Sequence, residues 1–369
     1  MKYFCLITSL FIFAMCSDQI GKEKQKHLSV NLQQRDEVSM HDLFHHIEII
    51  PLETDTDCLI QAIHSVKFEQ QKFFIFDYEV QSLFVFNDKG EFLFKIAEKG
   101  QGPREYLNVS DFNINKYTNE IELLAPINNS IYRYDSEGKF IEKINLPPWK
   151  NGAYSDFYLL NQDTTVLWSY DDENEIKYYS RSQQSIVLET YPEYWDDNFC
   201  TFKFPGNDYF CRSLTNTVYR LGANGLETAY EWDFGEDNND ITKLVTTNDP
   251  KKNFERNLKI IRSEIANYVL AVQLSNSQYY YAKIIREGKF IHLFYDKELH
   301  KSLLFPQFTE GVAIHPVIMT DNYVIGLTGE DVSEVLQASI LSDAEKEKLK
   351  QHKVDDNPIL IKYEWKSNK

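Results

Sequence analysis

Leu83-Phe84-Val85-Phe86-Asn87-Asp88-Lys89-Gly90-Glu91-Phe92 decides the fold, because it returns as Ile131-Tyr132-Arg133-Tyr134-Asp135-Ser136-Glu137-Gly138-Lys139-Phe140. A weaker third copy is Val218-Tyr219-Arg220-Leu221-Gly222-Ala223-Asn224-Gly225-Leu226. Each phrase reads as a strand, a tight polar turn with Gly, and a second strand. From Gly90 to Gly138 is a step of 48 residues, and from Gly138 to Gly225 one of 87, close to two such steps. A period of about 40–50 residues built from four short strands is the signature of a β-propeller.

Working outward, the chain divides into six blades. Blade one is expected over 61–96, with strands near Ala62–Phe68, Lys72–Asp77, Ser82–Asn87 and Glu91–Ile96. Its Phe73-Phe74-Ile75-Phe76 run is apolar throughout, as in a strand buried on both faces. Blade two follows over 109–146, blade three over 154–191 with a turn lacking Gly (Arg181-Ser182-Gln183-Gln184), and blade four over 199–234. A long connection with a helical stretch, Asn253–Ile265, leads to blade five over 267–305. Blade six takes Val312–Ile318 and Tyr323–Thr328. A helical insertion is expected at Asp331–Ile340 and Asp343–His352, and Ile359–Tyr363 returns as a strand. Ser342-Asp343-Ala344-Glu345 has the form of a capped helix start. Blade six then lacks an outer strand, and His46-Ile47-Glu48-Ile49-Ile50-Pro51-Leu52 is the strong strand left to supply it. The expectation is an all-β, six-bladed propeller of four-stranded antiparallel blades, closed by its N-terminal strand.

The 369 residues are 43% hydrophobic and 14% aromatic, with 23 Tyr and 25 Phe, which suits many half-buried strands. The net charge of −17 argues against a nucleic-acid partner, since phosphate binding needs a basic surface. It also disfavours direct polybasic contact with a membrane.

The N-terminus has the layout of an export signal. Lys2 precedes an apolar run from Tyr3 to Met15, too short for an ordinary membrane span, and Cys16 follows. The domain reading is a signal peptide over 1–16 ending at a lipidated Cys16, a flexible tether over 17–40, and the propeller over 41–369. Membrane contact is expected through the lipid alone. Exported chains meet oxidants, so Cys200 and Cys211 are a candidate disulfide pair. If Pro205-Gly206 makes the turn between them, they lie opposite each other, close enough to bridge; a shift of one residue leaves two buried thiols. No zinc spacing is present.

Candidate sites each have a bland counterpart. Gly100, Gly102, Pro103, Glu105 and Tyr106 lie in the turn Lys99-Gly100-Gln101-Gly102-Pro103-Arg104-Glu105-Tyr106. Turn chemistry explains every residue there, although exposed amides in such a turn also suit an anion. Trp149, Trp168 and Trp195, with Tyr154, Tyr178, Tyr179, Tyr191 and Tyr194, suit either an aromatic platform for a sugar or partner, or packing between blades. His41, His45 and His46 could hold a metal, and the loops Asp171–Glu175 and Glu236–Asp240 could hold calcium; a solvated surface is the plainer reading of each. No hydrolase nucleophile motif occurs.

Leu52-Glu53-Thr54, the Phe86–Phe92 phrase and Lys99–Tyr106 together resemble the six-bladed β-propeller lipoproteins of Bacteroidetes, which are NHL-like in architecture. Asn357-Pro358-Ile359-Leu360-Ile361 fits as well. The resemblance implies the fold and the compartment, a lipid anchor in the periplasm or at the outer membrane, but no activity. The leading functional expectation is a binding module for a glycan, a peptide or an envelope protein, without a cofactor. The alternative is a hydrolase or lyase using a divalent metal in the central channel.

Overall fold

The computed structural model describes residues 26–149, 153–170, 175–190, 208–244, 249–328 and 332–366. Six four-stranded sheets form a six-bladed β-propeller, with three α-helices among the described residues. The chain enters through β1 (Lys26–Ser29), α1 (Met40–Leu43) and β2 (Phe44–Pro51). Blade one is β3 (Ile63–Glu69), β4 (Lys72–Asp77), β5 (Ser82–Asn87) and β6 (Phe92–Ile96). Blade two is β7 (Asp111–Asn115), β8 (Glu120–Ala125), β9 (Ser130–Tyr134) and β10 (Phe140–Asn145). Blade three is β11 (Ala153–Leu159), β12 (Thr164–Tyr170), β13 (Ile176–Ser180) and β14 (Ser185–Thr190). Blade four contains β15 (Tyr209–Cys211), β16 (Thr217–Gly222) and β17 (Gly225–Asp233), followed by α2 (Pro250–Ile261). Blade five is β18 (Val269–Ser275), β19 (Tyr279–Arg286), β20 (Lys289–Asp296) and β21 (Lys301–Phe305). Blade six is β22 (Pro316–Met319), β23 (Tyr323–Leu327), then α3 (Asp343–Gln351), then β24 (Ile359–Trp365), with β2 outermost.

The repeated phrase is a repeated hydrogen-bond pattern. Asn87 Oδ1 accepts the amides of Lys89 and Glu91, both at 2.9 Å, and Asp135 Oδ1 accepts those of Glu137 and Lys139, also at 2.9 Å. Gly90 and Gly138 then close the turns at φ +85° and +80°. Blade three does without Gly because Gln184 takes the left-handed conformation, φ +52°. By the same correspondence Gly222–Gly225 joins the last two strands of blade four. The expected first strand of that blade and Cys200 fall outside the described residues.

Ring closure follows expectation: β2 pairs antiparallel with β24, Ile49 opposite Ile361. Two expectations need correction. The tether over 17–40 gives way to ordered structure from Lys26. β1 adds in parallel to the outer edge of β17, and Leu28, Val30, Leu32, Val38 and Met40 are buried. Apolar residues at every second position, Leu28, Val30 and Leu32, drive this by covering blade four. The strap then crosses the edge of blade five. There Asp36 N–H donates to the Leu304 carbonyl and Leu304 N–H to the Asp36 carboxylate, each at 2.7 Å. The second correction concerns blade six, where Val335–Gln337 is a single 3-10 turn, not a helix over 331–340.

The outer edge of β2 is covered by α3. Glu345 accepts the Ile49 amide at 2.6 Å, Lys348 donates to the Ile49 carbonyl at 3.0 Å, and Leu349 is fully buried. Two side chains thus supply the hydrogen bonds of a missing fifth strand.

Candidate functional site

A cleft of about 520 Å³ opens where blades five and six meet, lined by His45, Gln278, Asp321, Tyr323, Lys362 and Glu364 over a floor of Trp365. It lies on the face formed by the turns between first and second strands: Asn276–Gln278 in blade five and Thr320–Asn322 in blade six. These turns are tied together. Asn276 Nδ2 donates to the Thr320 carbonyl at 3.0 Å, and the Ser277 amide to Asp321 Oδ1 at 2.7 Å. The Ser277 amide also holds the Asp321 carboxyl below the usual range. Trp365 is held from below by its indole N–H, which donates to the Thr320 carbonyl at 2.8 Å.

The charged wall is organised around Glu364. Its Oε1 lies 3.0 Å from Lys362 Nζ and its Oε2 3.5 Å from His45 Nε2. Lys362 also meets Glu48 at 3.1 Å. The Lys362 hydrogen bond holds the Glu364 carboxyl low. Burial pulls the Lys362 ammonium down, but Glu364 and Glu48 more than offset it and hold it above its ordinary value. Tyr323, with Lys362 Nζ 5.4 Å from its ring centroid, separates the cleft from Phe68 of blade one, whose ring is 6.4 Å away. Burial raises the Tyr323 hydroxyl. Both charged groups stay ionised at neutral pH, so they act as a fixed acceptor and a fixed donor, not as a proton relay.

The residues singled out from sequence sit elsewhere. Trp168 is nine-tenths buried against Tyr178, Phe210 and Leu221, and its indole N–H donates to Glu175 at 3.3 Å. It offers no face for stacking, which corrects its expected place in an aromatic platform. Trp149 packs edge-on against buried Tyr154, with 5.7 Å between ring centroids. Trp195, Cys200 and Cys16 lie outside the described residues; Cys211 is buried in β15.

The glycine turn holds itself. Glu105 folds back so that its Oε2 accepts the Gly102 amide at 2.7 Å, and a Cβ at Gly100 would stand 1.9 Å from the same oxygen. Tyr106 is buried and donates to the Gln81 carbonyl at 2.9 Å. The turn's own carboxylate thus takes the place an external anion would fill.

Among the histidines, His41 Nε2 meets Ser339 and His45 Nδ1 the Trp365 carbonyl, so they diverge. Glu175, from the first acidic loop, forms a buried ion pair with Arg212. Asp237, from the second, accepts from Gln33 and Arg286. Near the axis, Asp111 joins three blades, accepting the Phe157 amide at 3.1 Å and lying 3.9 Å from Lys67. Among the described residues no three His, Cys, Asp or Glu side chains are grouped to hold a metal ion. Of the cleft residues, sequence reasoning noticed His45 alone. The others lie about 230–320 residues further along the chain and share no local motif.

Together these features define a six-bladed β-propeller closed by its own N-terminal strand, with an open polar cleft at the closing blade. Within that class, the chain belongs to the DUF4934 family, a domain of unknown function, whose profile matches residues 24–364. A candidate exported protein of Bacteroides fragilis is similar in structure, with a TM-score of 0.70 at 17% identity, covering 93% of this chain and 100% of that one. A DUF4221 member from Bacteroides vulgatus gives 0.51 at 9% identity, covering 88% and 99%. At these identities the likeness establishes the fold alone. No curated protein matches the sequence. No helix among the described residues is long and apolar enough to cross a membrane.

Proposed function

We propose that this protein is a lipid-anchored propeller of the cell envelope that binds a glycan in the cleft between blades five and six. The cleft's chemistry carries the reading. A carboxylate and an ammonium fixed in their charged states, the exposed amide of Asn322 and the Tyr323 ring suit a ligand rich in hydroxyls with a C–H face. Its volume is that of a small-ligand site. The signal layout ending at Cys16 supports the anchor, and export is in keeping with the similar protein of Bacteroides fragilis.

The test is a glycan array followed by titration of any hit. Tyr323→Ala and Glu364→Gln should each weaken binding at least ten-fold while leaving the circular dichroism spectrum unchanged. A hit that both variants bind as tightly as the parent, or saturable turnover of it, would overturn the reading. The anchor is tested separately by the mass of the mature N-terminal peptide, which should carry acyl chains on Cys16.

A further inference from the structure

Helix α2 is a local exception to an acidic protein. Asp249 caps its start, with its side chain accepting the amides of Lys251 and Lys252. One face is buried: Ile260 packs with Leu214 of blade four and Val269 of blade five, and Arg256 lies on the same side. The C-terminal end is fastened to the turn after β19, where Gly288 N–H donates to the Ile261 carbonyl at 2.9 Å and Glu287 N–H to Ser263 at 2.8 Å.

The opposite face is open. Lys251, Phe254, half-buried Leu258 and Arg262 follow one another at helical spacing of three or four residues, flanked by Lys252 and Lys259. Phe254 is 64% exposed. Exposed Lys289 follows the turn to which the helix end is fastened; Asp249, Glu255, Glu264 and Glu287 are exposed carboxylates nearby. Cations around exposed Phe and Leu on one side of a helix are the composition of an interfacial helix, apolar side chains entering the headgroup layer between lysines.

Charge selects the occupant: exposed lysines and an arginine around Phe254 complement an anionic headgroup layer. α2 and the turn after β19 lie on the propeller face opposite the cleft. β1 starts at Lys26 opposite Tyr230 and rises in parallel with β17 towards that same face. From there Gln33 reaches Asp237, at the start of the connection that carries α2. Ten residue steps separate Cys16 from Lys26, a reach of at most about 35 Å. A reach of that length allows an acyl group on Cys16 to enter the same bilayer that the α2 face would touch.

We propose that the outward face of α2 docks on an anionic phospholipid surface, turning the cleft away from the membrane. The orientation follows from α2 and the cleft lying on opposite faces, and the docking of α2 does not depend on the lipid anchor. It adds a second membrane contact to the expected lipid anchor.

The test uses the mature chain, residues 16–369, carrying Cys16→Ser so that no acyl group contributes. Co-sedimentation should show partitioning onto vesicles of phosphatidylglycerol and phosphatidylcholine, and little onto phosphatidylcholine alone. Lys251→Gln, Lys252→Gln, Lys259→Gln and Arg262→Gln combined should lower the partition coefficient at least ten-fold. Their side chains are exposed, so the melting temperature serves as the folding control. A Phe254→Trp variant should show emission quenched by brominated acyl chains in the anionic vesicles. Equal partitioning of parent and quadruple variant, equal binding to both lipid mixtures, or an unquenched tryptophan overturns the proposal. If α2 docks but Cys16 proves unacylated, the docking stands and the anchor falls.

Discussion

Gly90 and Gly138 do more than close turns. A Cβ on Gly90 would stand 2.2 Å from the Pro51 carbonyl oxygen of blade six, and one on Gly138 2.7 Å from the Phe94 ring of blade one. Each glycine marks where the turn of one blade meets the outer strand of the preceding blade, so the repeat encodes contact between blades as well as the hairpin within one. Gly225, at φ +118°, has its nearest neighbours at 3.9 Å. Gly90→Ala should therefore cost about 2–4 kcal/mol in urea unfolding, backbone strain plus overpacking, and Gly225→Ala only about 1–2 kcal/mol. A second residue has consequences for pH. His292 is buried with Nδ1 2.9 Å from the Tyr281 hydroxyl. Burial, with Lys283 and His315 adding to it, pushes its pKa down from 6.5 to about 3. The unfolded chain binds a proton near pH 6.5 that the folded chain refuses until about pH 3. Stability is thus fully present above pH 6.5 and falls as pH drops towards 3, by at most ~1.4 kcal/mol per pH unit. Comparing the acid limb of stability for His292→Phe with the parent should show a shallower slope in that window.

At the scale of elements, the edges are what needed explaining. Glu345 and Lys348 on α3 satisfy the amide and carbonyl of Ile49. Glu345→Ala leaves a buried N–H without an acceptor and should cost about 1–3 kcal/mol in thermal or urea unfolding, with partial recovery in Glu345→Gln, whose amide oxygen still accepts. The capped start of α3 was legible in Ser342-Asp343-Ala344-Glu345, because capping is a local matter. Its task was not, since nothing near Glu345 in the chain names Ile49. The strap was misread for a related reason. Leu28, Val30 and Leu32 alternate as a strand should, but lysines and glutamines surround them, and the surface they cover comes about 200 residues later. The turn phrases were legible because an Asn or Asp and a Gly, three residues apart, make the whole turn by themselves.

For the whole molecule, the same contrast separates fold from site. A propeller repeats a local unit, so one phrase and its period suffice to recognise it. The cleft has no such unit. His45 arrives on the closing strand, Gln278 and Asp321 on turns of two different blades, and Lys362 and Glu364 on the last strand. Only completion of the ring brings them together. That has a consequence in time. The strand that arrives first must wait for the one that arrives last: β2, near residue 50, finds its partner β24 only when residues beyond 359 are present. A chain made from its N-terminus emerges with β2 unpaired and stays so until its last strand is made. That pairing also closes the longest loop, from Phe44 to Trp365. The cleft is therefore completed late in the life of each molecule, and a chain cut short before β24 carries five complete blades and no cleft.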